Sequence, residues 1–491
     1  MRKIHDLLSS LARIISVFIL CSEQLLTIYR ISSIITMFVY FFERLFVCMQ
    51  IKLSDHFTYG RIIRFTLPSI AMMIFTSIYG VVDGFFVSNY VGKTPFAAVN
   101  FIYPFLMILG AFGFMLGTGG NALVAKTLGE GHEKRANEIF SLMIYVSIVC
   151  GILITVLGII FIRPIASLLG AEGEMLENCV LYGRIILLSM TPFMLQIEFQ
   201  SFFITAERPN LGLVVTLASG ITNMVLDFLL VGLFPLGLVG AALATALSQA
   251  VGGFLSLAFF VKPGEKTRLK LTKTHFDGKV LLKASVNGSS ELMSNIAMSL
   301  VGMLYNVQLL RFAGEDGVAA YGVMMYVTMI FISIFIGYSI GTAPLIGYNF
   351  GAGNHAELKN LLGKSFWIIG TASVCMLLLS FGLAAPLSRL FVGYDEVLFE
   401  MTKQGFFIYS FSFLFCGVAI FGSSFFTALN NGLISALISF LRTLVFQVAA
   451  VIVLPLIWEL DGIWYSCVVA ELMAFVVTLL FIVAQKKKYH Y

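Results

Sequence analysis

Along most of the chain, charged positions are too sparse for a water-soluble fold. Stretches free of Asp, Glu, Lys and Arg run 65–82, 94–125, 139–162, 209–226, 228–261, 292–310, 317–356, 365–388, 404–441 and 443–458. A crossing helix needs roughly 20 apolar residues, so the longest stretches hold one helix plus a turn or the start of another. The pattern predicts twelve helices near 62–90, 96–126, 139–162, 180–205, 211–232, 236–261, 284–311, 318–348, 364–386, 403–428, 433–456 and 462–484. Backbone groups in lipid must bond within their own segment, and the alternating pattern of a transmembrane barrel is absent. The expected fold class is an all-α polytopic membrane protein.

Composition agrees. Apolar residues make up 59% of the 491 and charged residues 12%, with a mean hydropathy of +0.95; a soluble domain carries about a quarter charged residues. Loop charges then orient the helices. The connection 262–283 carries Lys262, Lys266, Arg268, Lys270, Lys273, Lys279 and Lys283, and further basic sites are Lys134, Arg135, Lys359, Lys364 and the run Lys486, Lys487, Lys488. The alternate loops hold Glu172, Glu174 and Glu177, then Glu315 and Asp316, Asp395 and Glu396, and Glu459 and Asp461. Basic loops stay cytoplasmic, so both ends of the helical body are expected on the cytoplasmic side of the plasma (inner) membrane. The net charge of +5 follows from this bias and gives no reason to invoke nucleic acid.

Several chemistries find no support. The seven Cys form no CxxC, the six His form no HExxH, and GTGG at 117–120 belongs to no GxxxxGK[ST] phosphate loop. No enzyme activity, cofactor or ATPase subunit is expected. Residues 1–54 form an N-terminal extension that Arg13, Glu23, Arg30, Glu43 and Arg44 break too often to cross. It reads as an interfacial helix, or as untranslated, with the true start at Met49.

Self-comparison gives the architecture. A shift of 222 positions aligns Gly92 with Gly314, Ala97-Ala98 with Ala319-Ala320, Gly129-x-Gly131 with Gly351-x-Gly353, Pro164 with Pro386, and FxTA at 203–206 with FFTA at 425–428. The body is therefore two parallel six-helix repeats: an N-lobe over 55–261, a basic linker over 262–283, a C-lobe over 284–485 and a basic tail over 486–491. Transporters built from such repeats bind substrate between the halves and alternate access by rocking. Two halves in one chain make a monomer sufficient.

An ionisable group at mid-membrane costs about 2.5–3.5 kcal/mol on insertion scales, so it needs a partner or a task. Asp83 lies within the first helix with Tyr79 one turn earlier. Asn223 and Asp227 are i, i+4 neighbours in the fifth and share a face, and Thr245 sits within ATALSQ of the sixth. The 222 shift maps Asp83 onto Tyr305, Asn223 onto Val445 and Asp227 onto Ala449, so the second half lacks these acids. Carboxylate, amide and hydroxyl oxygens suit a hard cation such as Na⁺, and a buried carboxylate pair suits a proton equally; a hydrogen-bonded pair that only fixes packing is the structural alternative. Further candidates for the cavity are Glu291 with Asn295 one turn on, Glu198 flanked by Gln196 and Gln200, and Arg442, which could equally form a structural ion pair with Glu471. Met72, Met73, Met293, Met298, Met324 and Met325 read as packing or as a re-packable wall.

VDGFFVSNYVG at 82–92 followed by AAVNFIYPF, GTAPLIGYNFGAGN at 341–354 and GIWYSCVVAE at 462–471 together resemble the MATE multidrug and toxic compound extrusion family, in its DinF-like, MepA-like branch. The resemblance spans residues 55 to 485. It implies a secondary antiporter that exports cationic amphipathic drugs in exchange for H⁺ or Na⁺, with Asp83, Asn223, Asp227 and Thr245 matching the coupling cluster of that branch and offering the possible Na⁺ site. Glu291 matches a C-lobe glutamate of the NorM-like branch, but residues 404–441 contain no acid to complete that site. A lipid-linked precursor flippase of the same superfamily and a non-transporting receptor or scaffold are the alternative readings.

Overall fold

The computed structural model describes residues 51–262, 267–393 and 395–491. The expectations for the first fifty residues, an interfacial helix or a start at Met49, lie outside the described residues.

Among the described residues, fourteen helices follow one another. The N-lobe holds α1 (Tyr59–Phe86, continued by a π-helical turn at Val87–Val91), α2 (Lys93–Gly129), α3 (Glu133–Leu168), α4 (Gly173–Leu188), α5 (Met190–Thr205), α6 (Pro209–Leu226, continued by a π-helical stretch at Asp227–Leu233) and α7 (Gly237–Val261). The C-lobe holds α8 (Gly278–Gly314), α9 (Asp316–Gly351), α10 (His355–Val392), α11 (Glu396–Ser410), α12 (Phe413–Ala428), α13 (Gly432–Val453) and α14 (Pro455–Tyr489). Ten are long and apolar enough to cross a membrane alone, and the bent pairs α4–α5 (54°) and α11–α12 (48°) bring the spans to twelve.

The bends were not expected, since each pair reads as one straight helix in the sequence. At the first bend the Ser189 hydroxyl donates to the Ile186 carbonyl at 2.8 Å, and Pro192 supplies no N–H to the turn before it; both weaken the helical ladder there. α8 starts at Gly278, ahead of the expected 284, because Asp277 caps it, its Oδ1 accepting from the Lys279 and Val280 amides at 3.2 Å each. The Val280 amide and then Arg135 hold this exposed carboxyl below its usual range. The described part of the linker lies along α3, with the Lys270 amide donating to Asn137 Oδ1 at 2.7 Å and the Thr272 amide to Ser141 Oγ at 2.8 Å. The expected tail at 486–491 is instead helical to Tyr489. Tyr489 and Tyr491 are buried, and Tyr491 Oη donates to the Ile482 carbonyl at 2.9 Å, so aromatic packing overrides the lysine run.

Equivalent turns confirm the repeat. Gly92 (φ 109°) and Gly314 (φ 63°) close the first span of each half, and Gly131 (φ 82°) and Gly353 (φ 67°) the second; left-handed backbone favours glycine at these positions. On α3 a stripe of Val149, Ile152, Leu153, Val156, Leu157, Ile160 and Phe161 is more than half exposed. A soluble surface would not carry such a patch; lipid covers it.

The halves meet along a tight seam. A Cβ at Gly129 would stand 2.0 Å from the Tyr348 carbonyl oxygen, one at Gly351 2.0 Å from that of Lys126, one at Gly119 2.0 Å from that of Ala284 and one at Gly288 1.9 Å from that of Met115. On α1 the seam runs past Thr66 and Ile70, which face Gly341 and Gly337, to the Ser77–Ser333 hydroxyl pair at 2.5 Å. Methionines divide as packing would have them: Met72 and Met324 are buried, while Met298 is 63% exposed.

Candidate functional site

Two residues beyond the end of the seam, α1 turns toward the interior of the N-lobe. Gly220 of α6 has no side chain, and a Cβ there would lie 2.4 Å from the Phe75 ring and 2.9 Å from Tyr79, so its absence lets α1 and α6 approach closely. One turn further on, Asp83 accepts a hydrogen bond from Thr245 Oγ1 of α7 at 3.2 Å. Asn223 and Asp227, one turn apart on α6, face the same Asp83 carboxylate. The structure thus brings together Tyr79, Asp83, Asn223, Asp227 and Thr245 from three helices.

Burial makes the cluster demanding. Asp227 is 0% exposed and Asn223 1%. Among the described residues neither Asp227 oxygen nor the Asn223 side-chain oxygen has a hydrogen-bond partner. An ionised carboxylate taken out of water without a partner is prohibitively costly, and no Lys or Arg lies between Arg208 and Lys262 to neutralise it. Asp227 also opens the π-helical stretch Asp227–Leu233. Such a stretch re-aims side chains and is common at functional sites. The cluster thus sets one amide, one threonine hydroxyl and one phenol around two acids.

Two tyrosines of the cluster escaped the sequence reading. Tyr103 of α2 is within electrostatic range of Tyr79 and Asp83, and Tyr182 of α4 within range of Asp83, Asp227 and Tyr103. Nothing in a single sequence tells which face of α2 or α4 looks inward; AAVNFIYPF, already singled out, contains Tyr103 and is the one available signal.

The remaining candidates lie elsewhere. Glu198 does not share a surface with Gln196 and Gln200, because residues two apart on a helix point to different sides. Gln196 and Gln200 bond Ser219 and Thr216 of α6 at 3.2 and 3.4 Å. Glu198 is 0% exposed and packs on Gly117 of α2, with Ser147 and Cys150 of α3 beside it. In the C-lobe, Arg442 Nε donates to both oxygens of Glu471 at 2.8 and 3.1 Å, so the ion pair is real. Glu291 is half-buried with Arg442 in reach. Asn295 donates to the Glu291 backbone carbonyl at 2.8 Å, not to its carboxylate.

Comparison with known proteins places the fold. The MatE family model matches twice, over residues 68–229 and 292–453, one copy in each lobe. A multidrug export protein MepA of Staphylococcus saprophyticus is 25% identical over 414 residues, covering 83% of this chain and 89% of the relative. MepA of Staphylococcus aureus is 24% identical over 407 residues, with coverages of 83% and 89%. Among solved structures, the outward-facing conformation of a multidrug resistance MATE family transporter superposes with a TM-score of 0.84 at 22% identity, covering 89% of this chain and 98% of the other. A MATE in complex with MaL6 does so at 0.83 with the same identity and coverages; both likenesses are of fold. With each lobe matched by the family model and the fold shared over 89% of the chain, this multi-pass membrane protein belongs to the MatE family.

Proposed function

We propose that the chain is a multidrug efflux antiporter that exports cationic amphipathic compounds in exchange for H⁺ or Na⁺. The observation that carries this reading is Asp227, wholly buried, facing the carboxylate of the Asp83–Thr245 pair and without a basic partner in any ion pair among the described residues. The MepA relatives export multiple drugs by name, which supports the substrate class. In the proposed cycle an external cation binds the oxygens of Asp83, Asn223, Asp227 and Thr245, with Tyr79, Tyr103 and Tyr182 walling the cluster. Occupancy favours the state that releases drug outward, and the cation then leaves to the cytoplasm. A ligand shifts a two-state equilibrium only by its differential affinity for the two states, so the buried acids must change surroundings as the lobes rock. The loop charges support an orientation with both ends of the helical body in the cytoplasm, and in that orientation the seam closes the cytoplasmic side. A single chain suffices, embedded in lipid.

Asp83→Asn and Asp227→Asn are expected to abolish drug resistance in an expressing host while membrane expression stays normal. Wild-type resistance in both would overturn the assignment.

A further inference from the structure

The constant shift of 222 does more than expose the repeat: it asks what the C-lobe holds where the N-lobe holds its acids. Asp83 maps onto Tyr305, Thr245 onto Cys467, Gln249 onto Glu471 and Gly220 onto Arg442. In the structure these four C-lobe residues lie together, two of them, Tyr305 and Cys467, being counterparts of the bonded pair Asp83 and Thr245. Tyr305 Oη donates to Gln447 Oε1 at 2.8 Å, and Gln447 Nε2 donates to Cys467 Sγ at 3.8 Å. Glu471, 5% exposed, lies beside Tyr305 and Cys467. Arg442 reaches into the group with its Nε 2.8 Å from one Glu471 oxygen and 3.1 Å from the other, and its side chain is 16% exposed.

We propose that this group is the C-lobe counterpart of the N-lobe cation cluster, with the Arg442 guanidinium standing where a free cation would bind. The inference rests on the N-lobe reading above. The charge balance carries it. The N-lobe cluster has two acids, and among the described residues no Lys, Arg or His forms an ion pair with either, so on the N-lobe reading its cation comes from outside. In the C-lobe the counterparts of the two N-lobe acids are Tyr305 and Ala449, and the acid of the group is Glu471, the Gln249 counterpart, one helical turn beyond the Thr245 counterpart. The position that is bare at Gly220 carries Arg442 instead. Both charged residues also sit in the π-helical stretches of their lobes, Asp227 in Asp227–Leu233 and Arg442 in Leu441–Phe446, the irregularity that re-aims a side chain out of the regular ladder. A tethered cation cannot leave during a transport cycle. The C-lobe counterpart is therefore permanently occupied, cation-dependent change is confined to the N-lobe, and Glu471 is a latent cation ligand. A purely structural ion pair predicts the same contacts but no latent affinity for a free cation.

The test is thermal stability of the purified full-length chain, with Na⁺ titrated against choline at constant ionic strength and, separately, with pH lowered at constant Na⁺. The groups facing Glu471 are Arg442, Tyr305, Cys467 and Cys416. Four proteins are compared: wild type, D227N, D227N/R442Q and D227N/R442Q/E471Q. D227N/R442Q should gain a response to Na⁺ or to protons, a rise in Tm of about 3 °C or more on saturation, absent from D227N and from the triple variant. Recovery of D227N/R442Q only when the cation is supplied is the same result. A response no larger than that of the triple variant overturns the proposal. So does a D227N/R442Q protein that folds under no condition while the triple variant folds. Wild type against D227N reports separately on the N-lobe reading.

Discussion

At the residue scale, the cluster depends on one hydroxyl as much as on its acids. Thr245 supplies the hydrogen bond that the structure gives Asp83 within the cluster, at 3.2 Å, and bonds to charged groups contribute about 1.5–3 kcal/mol. Thr245→Val should therefore raise the concentration of coupling cation needed for half-maximal efflux roughly tenfold or more, while Thr245→Ser, which keeps the hydroxyl, should stay near wild type; cation-dependent dye efflux measures both. Asp83, Asn223, Asp227 and Thr245 were legible in the sequence because a lone acid in an apolar run is conspicuous and i, i+4 spacing fixes a shared face. Tyr103 and Tyr182 were not, since tyrosine is unremarkable in a membrane helix until its neighbours are known. Glu198 misled for a related reason. Its two glutamine neighbours suggested a polar face, yet they point at α6 while Glu198 points at α2 and α3.

At the element scale, glycine pairs decide how closely the lobes approach. α2 meets α8 and α9 backbone to backbone, with Gly129 opposite Tyr348 and Gly351 opposite Lys126. A methyl at Gly129 would sit 2.0 Å from a carbonyl oxygen, a contact that only backbone displacement relieves. Gly129→Ala should thus insert and express normally but disfavour this closed seam, cutting efflux at least about tenfold, since about 1.4 kcal/mol against one of the two states already shifts their ratio tenfold. Cross-linking of cysteines placed at Lys126 and Ala352 should fall in parallel. Efflux and cross-linking both at wild-type levels would contradict the account. The twelve spans themselves were readable from charge-free runs. The bends at Ser189 and after Ser410 were not, because Ser410 Oγ donating to the Phe406 carbonyl at 2.6 Å is a local competition that hydropathy does not register. The early start of α8 was visible in retrospect as Asp277 two residues before Lys279, an ordinary capping signal.

At the scale of the whole molecule, the segment before α1 straps the two lobes together. The Leu53 amide donates to Glu207 Oε1 of the N-lobe at 2.9 Å, and the Phe57 amide to Glu357 Oε1 of the C-lobe at 2.9 Å, with His56 Nδ1 2.6 Å from Glu357 Oε2. Rocking must strain or release one of these attachments. Glu207→Gln, which weakens the N-lobe anchor together with the 3.3 Å ion pair of Glu207 with Arg268 in the linker, should alter the maximal rate of efflux several-fold while leaving the half-saturating cation concentration unchanged, because the strap lies far along the seam from Asp83. The repeat gave this scale its outline from the sequence alone. The unequal furnishing of the two lobes, free acids in one and a tethered guanidinium in the other, needed the contacts of Arg442 with Glu471 to become visible. Coupling through the N-lobe cluster is the central claim, and dye efflux from proteoliposomes under a proton gradient and a Na⁺ gradient imposed separately tests it most directly. Efflux is expected under an imposed gradient of at least one of these ions and is lost in Asp227→Asn; no efflux under either gradient, or undiminished efflux in Asp227→Asn, would rule out coupling through these acids.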